Sequence, residues 1–246
     1  MNCNSLQVTP LKNKELGNSL PPVCLHLEGL SPKVYIVKAT ADMYCQNGFP
    51  EEEKLIHKAV TKRQQEFRAG RHAARSAIKK LIPSTSNDAN VPILSGNARE
   101  PLFPATISGS ISHTDNICLA ACALKNHIAS LGIDIETNKP LASHLFATVY
   151  TSDEQQLLAC TNNIPDTLIF SIKESLFKCC FPFVQMYFDF LDAQITLAPE
   201  TEYSGQFRFE LIGSNQAALR EKLPNLGFHG YYCFDQQYVF SLCYFS

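Results

Sequence analysis

The chain has 246 residues, 45% of them hydrophobic, and a formal net charge of −2. That is length enough for one large or two small domains, and the charge balance supplies no global basic field of the kind that marks a nucleic-acid binder. Its 10 cysteines are scattered with no Cys-x-x-Cys pair, so a zinc ribbon or thioredoxin-type motif is not expected and the thiols read as reduced, buried small hydrophobes.

Residues 1–17 hold no apolar core of a signal peptide, and the longest apolar run, 117–124, is too short to span a bilayer; a cytoplasmic, monomeric protein is expected. Residues 22–45 read as one or two strands, clearest at 34–37. The spacing of Ile56, Val60, Phe67, Ala74, Ile78 and Leu81 predicts one helix over 51–82, stopped by Pro83. Gly70 inside it costs about 1 kcal/mol relative to Ala and points to a kink or a close approach. A Ser-, Asn- and Pro-rich stretch over 83–105 reads as a long loop with a short strand near residue 93. Strands follow at 107–113, 117–124 and 129–136. The second half reads as helices at 141–147, 152–160 and 167–181, strands at 189–198 and 205–212, a helix at 214–223, and strands at 228–234 and 238–244. Helices segregated from antiparallel strands in each half predict an α+β fold of two similar-sized lobes, with residues 1–137 as one and 138–246 as the other.

Leu131-Gly132-Ile133-Asp134-Ile135-Glu136 carries the most chemistry. Alternation along a strand puts Asp134 and Glu136 on one face. Two neighbouring carboxylates need solvent, cationic partners or a metal. Glu174, on the following helix, adds a third acid, and such an oxygen set suits Mg²⁺ with waters and substrate phosphates, with Mn²⁺ as an alternative. Surface acids at a strand end fit the pair equally well. For Glu174, Ser171-x-x-Glu174 also fits a capping box, and Lys178 stands four residues on for an ordinary ion pair.

Arg63, Arg68, Arg71 and Arg75 form a basic run, with Arg71 and Arg75 on one helix face. Arginine forks fit phosphate, but the same spacing fits a solvated face. Gly109-Ser110-Ile111-Ser112-His113-Thr114 offers small residues and hydroxyls for close approach to an anion. Ser112 with His113 as a nucleophile and base is disfavoured, because strand neighbours point apart and no Gly-x-Ser-x-Gly elbow is present.

Four segments occur in order: Glu66-Phe67-Arg68-Ala69-Gly70-Arg71-His72-Ala73-Ala74-Arg75, Gly109-Ser110-Ile111-Ser112-His113, Gly132-Ile133-Asp134-Ile135-Glu136, and Phe170-Ser171-Ile172-Lys173-Glu174-Ser175-Leu176-Phe177-Lys178. Together they resemble the 4′-phosphopantetheinyl transferases, in particular the enterobactin-synthase type of the surfactin class, over roughly residues 55–195. The resemblance implies two α+β lobes related by a pseudo-two-fold, each with helices on a small antiparallel sheet, and coenzyme A as substrate between them. It implies Mg²⁺-dependent transfer of 4′-phosphopantetheine to a serine of an apo acyl, peptidyl or aryl carrier protein, with release of adenosine 3′,5′-bisphosphate. It implies Asp134, Glu136 and Glu174 as metal ligands, and Asp134, Glu174 and Lys178 as the catalytic set. Arg63, Arg71 and Arg75 would hold the nucleotide end, Ser112 and His113 would touch phosphate, and Lys173 and Lys178 would line the diphosphate. The loop Asn97-Ala98-Arg99-Glu100-Pro101 departs from the family's Lys-Gly pattern, with Arg99 one place along, and Ile172 stands where a small residue is usual. A Mg²⁺-dependent phosphohydrolase would instead release phosphate from coenzyme A without a carrier. A non-catalytic coenzyme-A-binding module is the third reading, and the intact Asp134, Glu136, Glu174 and Lys178 oppose it.

Overall fold

The computed structural model describes residues 34–115, 117–161 and 164–246. Strand β1 (Tyr35–Lys38) is followed by helices α1 (Ala41–Cys45), α2 (Pro50–Ile56) and α3 (Thr61–Leu81). Short strands β2 (Leu94–Ser95) and β3 (Pro101–Leu102) form a hairpin, and β4 (Ile107–Thr114), β5 (Ile117–Leu124) and β6 (Ser130–Thr137) come next. The second half holds α4 (Phe146–Val149), α5 (Ser152–Cys160), α6 (Thr167–Val184), β7 (Ala193–Pro199), β8 (Ser204–Leu211), α7 (Gln216–Lys222), β9 (Phe228–Phe234) and β10 (Tyr238–Phe245). The larger sheets have strand orders β1-β5-β4 and β6-β10-β9-β8-β7, and all their pairings are antiparallel. The α+β class expected from the sequence is what the structure shows.

Two local expectations change. Residues 41–45 form a helix rather than part of a strand, and the expected strand residues before 34 lie outside the described residues. The long helix over 51–82 is two helices, because the chain turns at 57–60. There Gln64 donates to the carbonyls of Ile56 and Ala59, satisfying the last groups of α2 that a break leaves open. β6 hydrogen-bonds β10 along its whole length, Asp134 opposite Ser241, and so belongs to the second sheet.

Each long helix covers one sheet through small residues. Ala69, Ala73, Ala74 and Ala77 of α3 are fully buried. A Cβ at Gly70 would stand 2.8 Å from the Ile111 side chain, so the expected close approach is the one β4 makes. On the other side α6 lies on β6. A Cβ at Gly132 would stand 1.9 Å from the Ser175 carbonyl oxygen, a contact no side chain could make. Ser130 on β6 donates to the Cys179 carbonyl of the same helix at 2.7 Å.

β4 and β6 belong to different sheets yet run side by side, joined by side chains. Ser108, Ser110, Ser112 and Thr114 alternate along β4 and so share one face. Ser108 donates to the Ile128 carbonyl at 2.7 Å. Ser110 accepts from the Ile133 N–H at 3.1 Å and Ser112 from the Ile135 N–H at 3.3 Å. This row of hydroxyls closes the seam beside which Asp134 and Glu136 stand. Among the described residues no helix is long and apolar enough to cross a membrane.

Candidate active site

A cavity of ≈ 840 Å³ opens between α3, the β2–β3 loop, β4 and the second half of α6. This is the size range of small-molecule sites. Arg63, Glu66, Phe67 and Arg71 line it from α3, and Asn97 to Ala105 from the loop. Gly109, Ser110 and His113 contribute from β4, and Glu174, Phe177, Lys178 and Phe181 from α6. Those α6 residues recur at three- and four-residue spacing, one helix face.

The basic end is built by α3. Arg71 is buried. Its Nε donates to the Ile93 carbonyl at 2.9 Å, Nη2 to Ser95 Oγ at 3.2 Å, and its guanidinium lies 4.0 Å from the Phe67 ring centroid. Burial lowers its pKa to about 10, against the pull of Glu52, so at neutral pH it is a cation anchored on both flanks. Arg63 Nη1 donates to His113 Nε2 at 3.0 Å. A guanidinium only donates, so the His113 proton rests on Nδ1, which faces Glu66 Oε2 at 3.8 Å. Burial, with Arg63 and Lys178 as fellow cations, holds His113 below the usual imidazole range.

The acidic centre lies beneath Lys178. Asp134 is 2% exposed. Its Oδ1 accepts from Lys178 Nζ at 2.7 Å and from Ser112 Oγ at 2.8 Å. Its Oδ2 is buried without a hydrogen-bond partner among the described residues. Thr114 Oγ1 donates to Glu136 Oε2 at 3.3 Å. Burial first, and then the charge of Asp134, raise the Glu136 pKa to about 7. Glu174 is likewise raised by burial, with Lys178 opposing and Asp134 assisting.

A divalent cation fits this arrangement. A buried carboxylate oxygen with no partner costs free energy, and neighbouring acids pushed towards their neutral forms, as Glu136 and Glu174 are, are those a cation would ionise. Among the described residues no group of three or more His, Cys, Asp or Glu side chains is placed to hold a metal ion, so Asp134, Glu136 and Glu174 do not form a ready three-ligand site. Mg²⁺ does not need one, since it is commonly held by one or two carboxylates with substrate phosphates completing its shell.

Several expected site residues lie elsewhere or do other work. Lys173, expected along the diphosphate, points away from the cavity. Its ammonium is buried against Glu154 Oε2 at 2.7 Å and the carbonyls of Val149 and Phe190, both at 2.8 Å. Successive helix residues differ by about 100°, so with Glu174 in the cleft its neighbour Lys173 is turned into the second lobe. Arg75, expected at the nucleotide end, pairs with Glu52 in the first lobe and lies over the Phe49 ring. Ser112 faces Asp134 rather than the open cavity. The capping-box reading of Ser171 fails, because α6 begins at Thr167; the Ser171 and Ser241 hydroxyls are 3.0 Å apart. Lys178 pairs with Asp134, not with Glu174. Arg99 does reach the cleft lining, at φ 67 in the β2–β3 loop.

Sequence reasoning did not single out Thr114, Glu66, Lys125 or the aromatic wall of Phe103, Phe177 and Phe181. For Thr114 a signal existed: the alternation Ser-x-Ser-x-Ser-x-Thr over 108–114 marks one strand face. For Lys125 and Phe103 none did.

Residues 51–123 match the family model of the 4′-phosphopantetheinyl transferase N-terminal domain, and residues 130–243 that of the 4′-phosphopantetheinyl transferase superfamily. The chain is 35% identical over 170 residues to 4′-phosphopantetheinyl transferase Svp of Streptomyces mobaraensis, covering 67% of this chain and 65% of that protein. It is 32% identical over 173 residues to 4′-phosphopantetheinyl transferase Npt of Nocardia iowensis, covering 68% and 76%. It is 35% identical over 134 residues to enterobactin synthase component D of Salmonella typhimurium, covering 52% and 53%. The two family models together span all four motifs around the cleft, and the chain therefore belongs to the 4′-phosphopantetheinyl transferase superfamily, of the type that includes enterobactin synthase component D.

Proposed function

We propose that the protein transfers 4′-phosphopantetheine from coenzyme A to a serine hydroxyl of an apo acyl, peptidyl or aryl carrier protein, releasing adenosine 3′,5′-bisphosphate. The observation that carries the reading is one cavity lined by Arg63, Arg71 and His113 at one end and by Glu174 and Lys178 at the other, with Lys178 bonded to the buried Asp134 behind it. Arg63, Arg71 and His113 suit the phosphates of the nucleotide end, and Arg71 is already held in place by Ile93 and Ser95. Lys178 suits the diphosphate. Asp134 and Glu136 would hold Mg²⁺ or Mn²⁺, which supplies positive charge to the phosphoryl oxygens.

In the reaction the serine oxygen bonds to the β-phosphorus, and the bond from that phosphorus to the bridging oxygen breaks. The bisphosphate leaves with that electron pair. Glu174 accepts the serine proton. Burial raises its pKa, which makes it a better base than an exposed carboxylate. The protein otherwise positions and screens charge, as phosphoryl transfer requires. The described cysteines form no disulfide, which fits a cytoplasmic, reducing setting. We take the nucleotide contacts to lie in the first lobe and Glu174 with Lys178 in the second, in a monomer.

The test is intact-mass analysis of a broad panel of apo carrier proteins incubated with this protein, coenzyme A and Mg²⁺. One added phosphopantetheine on a carrier serine, abolished by chelator, is expected. Consumption of coenzyme A with no carrier modified would replace the transferase reading by a phosphohydrolase.

A further inference from the structure

The hydroxyl row of β4 does two kinds of work. Ser108 and Ser110 bond only main-chain groups of the neighbouring segment, Ile128, Ala129 and Ile133. Ser112 and Thr114 reach carboxylates. The Ser112 oxygen lies within reach of two donors, the Ile135 N–H at 3.3 Å and Lys178 Nζ at 3.3 Å. With both lone pairs engaged, its own proton goes to Asp134 Oδ1. Asp134 Oδ1 is thus filled by Ser112 and Lys178, while Oδ2 is left without a partner. Thr114 performs the corresponding service on Glu136, donating to Oε2.

We infer that Ser112 and Thr114 are positioning residues that fix which oxygens of Asp134 and Glu136 face a divalent cation. This rests on the metal role proposed for those two acids. Neither hydroxyl touches the cation itself; each orients a ligand, as carboxylates at metal centres are oriented by their own hydrogen-bond partners. Ser108 is the internal control, the same residue type on the same strand face with no carboxylate to hold.

The test is Mn²⁺ affinity, read from the spectroscopic signal of free Mn²⁺ over the full chain saturated with coenzyme A. Thr114→Val keeps the β-branched shape and removes the donor. It is expected to weaken Mn²⁺ binding on the order of 10-fold, with Thr114→Ser restoring it and Ser108→Ala leaving it unchanged. Ser112→Ala repeats the test at Asp134 and decides the matter if the Thr114 variant does not fold. Unchanged Mn²⁺ affinity in a folded Thr114→Val or Ser112→Ala protein overturns the inference. So does equal weakening by Ser108→Ala, which would make the row a seam only. Carrier modification by the wild type, measured separately, shows whether the transferase reading stands in either case.

Discussion

Two sets of carboxylates, one fully buried and one buried or half-buried, behave differently in this molecule. Glu52 and Glu154 are each 1% exposed and fully engaged. Glu52 accepts from the Phe49 N–H at the start of α2, from the Ile93 N–H at 2.7 Å, and from Arg75 of α3. Glu154 accepts from the Thr151 N–H at the start of α5, from the Ile195 N–H at 2.7 Å, and from Lys173 of α6. The two acids thus make the same pin: each stands at the third position of a short helix and is tied to its helix start, to an isoleucine N–H, and to a base on a long helix. Asp134, Glu136 and Glu174 are the contrast. Asp134 has an oxygen with no partner, and Glu136 and Glu174 are pushed towards their neutral forms. A carboxylate buried for structure is surrounded by donors. Those at the seam between the two sheets are short of positive charge, a shortage that the proposed metal and substrate phosphates would relieve together.

The pins should therefore govern folding and the seam acids turnover. Glu154→Ala strands the buried Lys173 ammonium and should cost about 3–5 kcal/mol of stability, seen as a lowered denaturation midpoint. Replacing both partners, Glu154→Leu with Lys173→Met, should recover part of it, since apolar groups leave no buried charge. A Glu154→Ala protein of wild-type stability would remove the distinction between the two sets. Glu174→Gln should do the reverse. Gln disturbs no cap, because α6 starts upstream, and the thermal midpoint should hold while kcat falls roughly 10²-fold or more. Near-normal turnover would take the base role from Glu174. Arg71→Ala should raise KM for coenzyme A on the order of 10-fold, more than it lowers kcat, and Arg71→Lys should not restore it, because a point charge lacks the fork.

The last effect is in pH dependence. Folded, Glu136 keeps its proton to about pH 7, against a usual 4.5. Between those values the folded chain binds more protons than the unfolded one, so stability from this group is present at low pH and is lost as pH rises from 4.5 through 7. The metal-free protein should lose stability across that window, and Glu136→Gln should flatten the slope, as followed by thermal denaturation at a series of pH values. A slope indifferent to this substitution would mean that Glu136 is solvated.

Much of this contrast was legible in the sequence, and its gaps have physical causes. Alternation in 131–136 placed Asp134 and Glu136 on one face, and helical spacing through 167–181 predicted the element that carries Glu174. The pins were not legible. Glu52 and Glu154 sit among other polar residues at helix starts that resemble any solvated first turn, and their partners lie up to 41 residues away. Lys173 was misplaced for the same reason. A motif shows that it neighbours Glu174, but the helix turns the two to opposite sides. The pairing of β6 with β10 joins residues about a hundred positions apart, which no local pattern encodes. The break after α2 depends on Gln64 reaching back to Ile56, where hydrophobic spacing alone runs on unbroken.

The most direct measurement is anomalous diffraction from crystals of the protein with Mn²⁺ and coenzyme A. Asp134 Oδ2 and Glu136 are expected as ligands of one ion, with the remaining positions filled by phosphate oxygens and water and with Glu52 and Glu154 untouched in their pins. An ion bound away from Asp134, or coenzyme A bound in the cleft with Asp134 Oδ2 still without a cation, would contradict the assignment of the seam acids as the metal site.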